Sequence, residues 1–277
     1  MNESERPSFA IWPPRDSPVS VATWLQEIRA LARCIAAPPP YPVDAARGQG
    51  QPVIVVPGFC SPDMATARLR EFLTRQGFAP RTWDCGTNLG PTRTALATFE
   101  RQLVELAQAR GQSVSLVGIS LGGTIAREIA KRRPDCVARV VTLVSPIRLP
   151  VATCLAPLAQ IAALVWDDTS REAMARIAEP PPVPLTAIVN PKDGVVDWRA
   201  CVPDAAPNVE MVLVPGVHMT MASNPDAQRI VAARLALPSP LAGLAGEGGA
   251  AHASARHGRA GPSPRPEAAS AAQAGEG

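Results

Sequence analysis

The sequence predicts an α/β protein built on a mostly parallel sheet of about six strands flanked by helices. Three observations support this fold class. Short β-branched runs alternate with segments of helical length through the middle of the chain. One of these runs leads through a short glycine-containing turn directly into a predicted helix. The chain has 277 residues, of which 46% are apolar, so one main core is expected.

The first predicted element is an amphipathic helix over residues 19–36, which a triple-proline run ends. Its apolar positions recur at helical spacing and are Val21, Trp24, Leu25, Ile28, Leu31 and Ile35. Glu27, Arg29 and Arg33 fall on the opposite side. We expect the apolar side to dock on the domain's own sheet, and a membrane surface is the alternative.

The following elements alternate between strand and helix. The first strand is the buried run 53–56, which the turn Pro57-Gly58-Phe59 closes. Further strands are predicted over residues 79–83, 114–117, 137–144, 185–189 and 210–214. Helices are predicted near residues 64–76, 92–110, 121–132 and 224–236, with Gly77 and Gly111 as caps. This alternation favours parallel pairing of the strands.

The two ends of the chain differ in composition from the middle. Residues 1–18 are polar and proline-rich, and we expect them to be flexible. In residues 238–277, 29 of 40 residues are Ala, Gly, Ser or Pro, which leaves too little apolar area to offset the ordering entropy. The sequence therefore predicts a folded domain over residues 19–237 and a disordered tail from 238 to 277.

An apolar insertion interrupts the alternation. Residues 149–166 run 18 positions without a charge, which is the length at which a membrane span must be considered. Pro157 and Gln160 lie in its middle, and a span would separate two strands of the predicted sheet. We therefore expect a small apolar cap, within an insertion at about residues 146–183, over the C-terminal edge of the sheet.

Composition excludes several function classes. The net charge of +3 is close to neutral, so a nucleic-acid partner is not expected. The N-terminal stretch lacks the pattern of a secretory signal, which predicts a cytoplasmic protein. The six cysteines are scattered singly and suggest reduced thiols. With no glycine-rich phosphate loop and no paired histidine, neither a cofactor nor a metal is expected.

The clearest chemical signal is Gly118-Ile119-Ser120-Leu121-Gly122, which lies between a predicted strand and a predicted helix. Small residues around the serine permit a sharp strand-to-helix turn that lifts its hydroxyl clear of the sheet. This context favours Ser120 as a nucleophile. The alternative is a tight turn whose serine only caps the helix.

A base and an acid follow at the ends of later strands. His252 and His257 lie in the predicted tail, so His218 is the histidine available to activate a serine. Asp193 directly follows the strand at 185–189, which favours it as the acid that orients the imidazole. The competing acids are Asp197, Asp167 and Asp168.

In these features the chain resembles the α/β-hydrolase family, and more narrowly its bacterial lipase- and esterase-like members, over residues 52–236. The segments that match, besides the turn at Ser120, are Pro57-Gly58-Phe59, Asn88-Leu89-Gly90-Pro91-Thr92, Lys192-Asp193-Gly194-Val195-Val196, Gly216-Val217-His218 and Asn224-Pro225. The resemblance implies an oxyanion hole made by the backbone N–H groups of Phe59 and Leu121. Two departures are Thr220 and Met221 after the histidine, and the lack of the family's first two antiparallel strands.

The resulting hypothesis is a serine hydrolase that cleaves a carboxylic ester through an acyl-enzyme on Ser120. His218 would act as base and then as acid, and Asp193 would hold the imidazole tautomer. The apolar insertion suggests a small lipophilic ester as substrate. Acyl transfer or thioester hydrolysis by the same residues is one alternative, and a non-catalytic binding protein of the same fold is another. The oligomeric state stays open.

Overall fold

The structure is a computed structural model, and it describes residues 19–148, 153–155 and 176–238. The chain divides into Met1–Leu241 and Ala242–Gly277, and every described residue belongs to the first part. The predicted flexible N-terminus, most of the predicted cap and nearly all of the predicted tail lie outside the described residues.

Six strands form one sheet in the described part of the chain, in the order β2-β1-β3-β4-β5-β6. They are β1 (Pro52–Val56), β2 (Ala79–Thr82), β3 (Val114–Ile119), β4 (Val137–Leu143), β5 (Leu185–Val189) and β6 (Val209–Leu213). All five pairings are parallel. The predicted parallel sheet of about six strands is confirmed, and the C-terminal ends of all six strands meet at one edge.

Helices cover both faces of this sheet, except that the first helix packs against a loop. They are α1 (Val21–Ala36), α2 (Ala67–Arg75), α3 (Arg93–Arg110), α4 (Leu121–Arg132) and α5 (Pro225–Leu235). Thr92 caps α3 by accepting a hydrogen bond from the Ala95 N–H, and Asn224 caps α5 in the same way. Gly111 ends α3 in the left-handed conformation that glycine adopts without strain, with φ of 60°.

The two faces of β1 show how the core is divided. All five residues of this strand are buried. Val53 and Val55 pack with Phe72 of α2 in one apolar cluster, whereas Ile54 packs with Phe99 of α3 in the other. Because successive side chains of a strand point to opposite faces, an unbroken apolar run is what a strand covered on both sides requires.

Helix α1 is confirmed, but the prediction for its buried side is wrong. Trp24, Leu25 and Ile28 are each more than a third exposed, whereas Glu27 is buried. The helix packs against the 3₁₀ turn His218–Ser223 and not against the sheet with its apolar side. The helix docks through Glu27 because backbone N–H groups of neighbouring loops bind its carboxylate and offset its desolvation.

Among the described residues, no helix has the length and apolar character that a membrane crossing needs. Of the apolar run 149–166, only residues 153–155 are described. Thr153 forms an isolated antiparallel bridge with Val196, and the Cys154 N–H donates to the Val195 carbonyl at 3.3 Å. This part of the predicted cap therefore borders the loop that follows β5.

Candidate active site

Ser120 lies between the end of β3 and the start of α4, in a backbone conformation that L residues rarely adopt. Its φ is 49° and its ψ is −127°. Its N–H donates to the Leu143 carbonyl of β4 at 2.8 Å, and its carbonyl accepts from the Gly123 N–H at 2.9 Å. Such strain costs about 1–3 kcal/mol and persists only where the surroundings impose it. The Ser120 hydroxyl makes no capping hydrogen bond to α4, which removes the alternative of a capping serine.

Glycines around Ser120 allow three segments to approach each other closely. A Cβ at Gly118 would collide with the backbone of Gly123. A Cβ at Gly122 would collide with the carbonyl oxygens of Val56 and Pro57. The N-terminal turn of α4 can therefore lie directly against the end of β1 only because this position has no side chain.

The loop after β1 lies beside Ser120 and is held there by Asn88. A Cβ at Gly58 would lie 3.4 Å from Ser120 Cβ. The buried Asn88 donates from Nδ2 to the Pro57 carbonyl at 2.7 Å, and its backbone carbonyl accepts from the Cys60 N–H at 2.8 Å. These two bonds bracket Phe59 and fix its backbone.

The two backbone groups that the resemblance assigns to an oxyanion hole suit that role in different ways. The Phe59 N–H has no acceptor among the described residues. Leu121 is the first residue of α4, where the helix itself does not use the backbone N–H. The positive end of the helix dipole lies at the same place.

The side chains of Asp193 and His218 contact each other. Asp193 is 1% exposed, and its Oδ2 lies 2.6 Å from His218 Nδ1. Its Oδ1 accepts from the Val195 and Val196 N–H groups at 2.8 and 2.9 Å. Because a carboxylate only accepts hydrogen bonds, we assign the shared proton to Nδ1, which leaves Nε2 with a lone pair.

Asn190 forms a further link between the loop that follows β5 and contains Asp193 (the acid loop) and the loop that follows β6 and contains His218 (the histidine loop). Its Nδ2 donates to the Gly216 carbonyl at 3.1 Å, and its Oδ1 accepts from the Lys192 N–H at 3.0 Å. Asn190 directly follows β5 and is buried. It therefore joins the segment before Asp193 to the segment before His218.

Asp197, the competing acid that lies within the described residues, makes no hydrogen bond or ion pair with the histidine. Asp197 caps the 3₁₀ turn Trp198–Cys201 by accepting from the Arg199 N–H, and its other oxygen lies 3.3 Å from the Arg199 guanidinium. Asp167 and Asp168 lie outside the described residues. Asp193 is thus the acid that the described residues bring to His218.

Ser120, Asp193 and His218 follow the C-terminal ends of β3, β5 and β6, so all three lie along one edge of the parallel sheet. Among the described residues, no hydrogen bond joins the Ser120 hydroxyl to His218. In proteins without bound substrate, hydrogen bonds of this kind are often long and shorten only in the reactive complex. The acid–histidine pair is formed, and the serine lies on the same edge.

The histidine loop departs from the resemblance in a way that the core explains. Met221 is fully buried and packs with Val214 in the same apolar cluster as β1. The loop folds into the 3₁₀ turn His218–Ser223, which places Met221 beneath the histidine segment. Met221, one of the two residues after the histidine that depart from the resemblance, therefore fills part of the core.

Desolvation disfavours the thiolate form of two cysteines near these residues. Cys60 follows Phe59, and desolvation raises the pKa of its thiol. Desolvation also raises the pKa of Cys154 to about 11. Since the thiolate is the reactive form, both groups are protonated at neutral pH. All six cysteines lie within the described residues and are unpaired.

Sequence reasoning missed two contributors to this site. The helical pattern puts Glu27 on the polar side of α1. Its partners lie 167 and more residues further along the chain, and a local pattern carries no information about them. Asn190 carries a weak signal, because it directly follows a predicted strand. The described residues contain no group of three or more metal-binding side chains in a suitable arrangement.

Comparisons with known proteins place the fold. No family model matches the chain, and no curated protein matches it. The structure is similar to lipase B of Aspergillus fumigatus, with a TM-score of 0.53 and 16% identity, over 73% of this chain and 56% of that one. An α/β-hydrolase enzyme from a sediment metagenome of the Mar Chica lagoon, Morocco, is 20% identical over 68% of this chain and 91% of its own, with a TM-score of 0.48. Naproxen esterase from Bacillus subtilis is 14% identical over 77% and 96%, with a TM-score of 0.45.

At these low sequence identities, similarity of structure establishes the fold only. The activity has to be argued from the residues of the candidate site. The parallel sheet in the order β2-β1-β3-β4-β5-β6 has a serine turn after β3 and an acid loop after β5. The histidine loop follows β6, so the chain order is serine, acid, histidine. With this topology, and with the lipase as a structural neighbour, the chain has the α/β-hydrolase fold.

Proposed function

We propose that this protein is a serine hydrolase that cleaves carboxylic esters through an acyl-enzyme on Ser120. The observation that carries the proposal is the buried 2.6 Å contact between Asp193 and His218, on the sheet edge where Ser120 is held in a strained turn. Backbone strain and a buried acid–imidazole pair both lower the stability of the fold. Their presence at one edge of the sheet therefore favours a functional reason for them. Together they supply a nucleophile and its base.

The reaction begins with a proton transfer. Asp193 holds the imidazole with its proton on Nδ1, so Nε2 takes the proton from Ser120 Oγ as the oxygen attacks the ester carbonyl. The carbonyl oxygen becomes negative in the tetrahedral intermediate. When this intermediate collapses, the C–O bond to the alcohol breaks, and His218 passes its proton to the departing alkoxide. The acyl group is then bound to Ser120.

Water completes the cycle by the same route in reverse. His218 removes a proton from water, the resulting hydroxide attacks the acyl-enzyme, and the second tetrahedral intermediate releases the acid while Ser120 Oγ regains its proton. The Phe59 and Leu121 N–H groups donate to the negative oxygen in both intermediates. Each such donor typically contributes about 3 kcal/mol to the transition state, which makes the two Asn88 bonds around Phe59 important.

A lipophilic ester suits the surroundings of the site. A cavity of about 240 Å³ lies between the loop after β2 and the start of α3, and its walls combine the apolar Trp83, Leu89 and Ala95 with four uncharged threonines. Leu89 follows Asn88, the residue that fixes the proposed oxyanion loop. Thr153 and Cys154 border Val196 and Val195 in the loop that contains Asp193, and the next residue, Leu155, is apolar. Both features favour an acyl or alkyl group over a charged one.

Hydrolysis of nitrophenyl esters tests the proposal. The protein should hydrolyse a series from acetate to decanoate, with kcat/KM rising beyond acetate. Ser120→Ala should lose at least about 10³-fold in kcat while it unfolds at a similar temperature. Hydrolysis by the folded variant at the rate of the unsubstituted protein would remove Ser120 from the mechanism. The absence of hydrolysis by both would favour a non-catalytic protein, and a preference for acetate would refute the lipophilic substrate.

A further inference from the structure

Glu27 is the one buried residue of α1, and it is 3% exposed although it carries an ionisable side chain. Five apolar residues of the same helix, Trp24 and Ile28 among them, are each more than a third exposed. The most buried contact of the helix with the rest of the domain is therefore made by a carboxylate. Burial of such a group is expensive unless several donors surround it, so its position requires a specific explanation.

Three backbone N–H groups bind this carboxylate. Glu27 Oε1 accepts from the Gly194 N–H at 3.0 Å and from the His218 N–H at 3.0 Å. Glu27 Oε2 accepts from the Met219 N–H at 2.9 Å. Gly194 directly follows Asp193 in the chain, and His218 is the proposed base itself. One side chain thus bridges the loop of the acid and the loop of the base.

The acid loop is shaped to receive Glu27. A Cβ at Gly194 would lie 2.8 Å from Glu27 Cγ and 3.0 Å from the Thr23 carbonyl oxygen. Only glycine leaves room for the helix to approach so closely. The glycine that follows the acid therefore has a packing role toward α1, beyond the turn it makes.

Hydrogen bonds to a carboxylate are about twice as strong as neutral ones, so this bridge resists relative movement of the two loops. Glu27 bonds to the backbone of His218, and its two oxygens are both occupied by N–H groups. Among the described residues, no hydrogen bond joins it to the imidazole ring. It therefore acts on the backbone from which the imidazole ring and the Asp193 carboxylate extend.

We propose that Glu27 is a positioning residue of the ester-hydrolase site, which clamps the Asp193 and His218 loops together and so maintains the 2.6 Å contact between their side chains. The proposal rests on the proposed function, because positioning has meaning only if His218 serves Ser120. It makes α1, which lies outside the sheet, a part of the active site. A misplacement of about 1 Å in such a site can cost about 100-fold in rate.

Two substitutions at Glu27 and one control separate positioning from general support of the fold. Glu27→Gln keeps an oxygen for the Gly194 and His218 N–H groups but turns an amide donor toward the Met219 N–H. Glu27→Ala removes all three acceptors. Gln26→Ala truncates the neighbouring exposed side chain of the same helix and serves as the matched control.

The variants are compared by kcat and KM for a nitrophenyl butyrate, with active sites counted by a fluorophosphonate. We expect kcat per active site to fall about 3- to 10-fold in Glu27→Gln and about 10- to 100-fold in Glu27→Ala. KM should change less than about twofold in both, because Glu27 does not contact the substrate. Gln26→Ala should match the unsubstituted protein.

A second readout does not depend on catalysis. The proton between His218 Nδ1 and Asp193 should give a downfield resonance in the proton NMR spectrum, assigned by its loss in His218→Ala. We expect this resonance to broaden or disappear in both Glu27 variants and to persist in Gln26→Ala. If Glu27→Ala does not fold, Glu27→Gln alone decides the result.

Glu27→Gln with unchanged kcat per active site and an unchanged resonance would overturn the proposal and leave Glu27 as a structural anchor. The resonance remains informative if the protein hydrolyses no ester. In that case the proposed function fails, and loss of the resonance in Glu27→Gln would still show that Glu27 positions the Asp193–His218 pair.

Discussion

Ser120 adopts φ of 49° and ψ of −127°, a region in which a Cβ is crowded and glycine is not. The strain and the hydroxyl can be separated by substitution. Ser120→Gly removes both the hydroxyl and the strain, whereas Ser120→Ala removes only the hydroxyl.

Relief of about 1–3 kcal/mol of strain exceeds the about 0.5–1 kcal/mol that glycine costs through the entropy of the unfolded chain. We therefore expect Ser120→Gly to be more stable than Ser120→Ala by about 0.5–2 kcal/mol, although both lack hydrolytic activity. Chemical denaturation of the two variants under identical conditions measures the difference. An alanine variant that is more stable by about 0.5 kcal/mol or more would mean that the turn is not strained in solution.

Asp193 and Asp197 offer a matched pair for testing the acid. In Asp193→Asn the amide donates where the carboxylate accepted, so Nδ1 becomes the acceptor and the proton moves to Nε2. The imidazole then cannot take a proton from Ser120, and kcat should fall by about 10³- to 10⁴-fold. Asp197→Asn retains an oxygen that can cap the following 3₁₀ turn and should change kcat little. A larger loss in Asp197→Asn would reverse the assignment of the acid.

The residues of the candidate site differ in how visible they are in the sequence. Ser120 is marked by glycines at fixed offsets, and Asp193 by its position after a strand, so local pattern finds both. Glu27 is bound to partners 167, 191 and 192 residues away in the chain. Such contacts depend on how the loops after β5 and β6 meet α1, and local periodicity carries no information about this.

At the scale of elements, α4 links the proposed nucleophile to the ends of the predicted cap. Thr124 Oγ1 donates to the Pro146 carbonyl at 2.7 Å, where the insertion begins. Arg127 Nη2 donates to the carbonyls of Ala178 and Glu179 at 3.0 and 2.9 Å, where the insertion ends. The helix that starts at Ser120 therefore holds both ends of the segment.

Arg127 is the residue on which this link can be tested. Its guanidinium is buried, and desolvation lowers its pKa to about 10. Arg127→Met fills much of the space but leaves two carbonyls without a donor, and we expect a loss of about 1–3 kcal/mol in the free energy of unfolding. Arg132→Met, at an exposed position of the same helix, should change it by less than about 0.5 kcal/mol. Equal effects in urea denaturation would show that the buried bonds are not needed.

Helix α1 shows where prediction by pattern fails for an element. The spacing of apolar residues correctly predicted a helix, because amphipathic periodicity is a local property. It assigned the wrong buried side, because the side that docks is decided by available partners. Here the partners are backbone N–H groups that bind Glu27, and Trp24, Leu25 and Ile28 remain on the outer side.

At the scale of the whole molecule, parallel pairing explains why three distant segments meet. Residues 120, 193 and 218 are far apart in the chain, but each follows the C-terminal end of a strand. The alternation of strands and helices was sufficient to predict this shared edge. The order of the strands in the sheet depends on which crossovers pack, and the sequence alone did not specify it.

The bounds of the folded domain and the insertion within it bear on the proposed hydrolase function. We propose that residues 19–237 form the hydrolase domain and that the insertion at about 146–183 caps its site. The bridge between Thr153 and Val196 supports this assignment, since it joins the insertion to the acid loop. The described residues 146–148, where the insertion begins, follow the C-terminal end of β4, the edge of the sheet on which Ser120 lies.

The most direct measurement of the central claim is the site of covalent labelling by a fluorophosphonate, read by intact mass and by peptide mapping. If Ser120 is the nucleophile, the protein should carry one adduct per chain, attached to Ser120, formed slowly in Asp193→Asn and absent in Ser120→Gly. An adduct on another residue, or a folded protein that reacts equally well without the Ser120 hydroxyl, would contradict it.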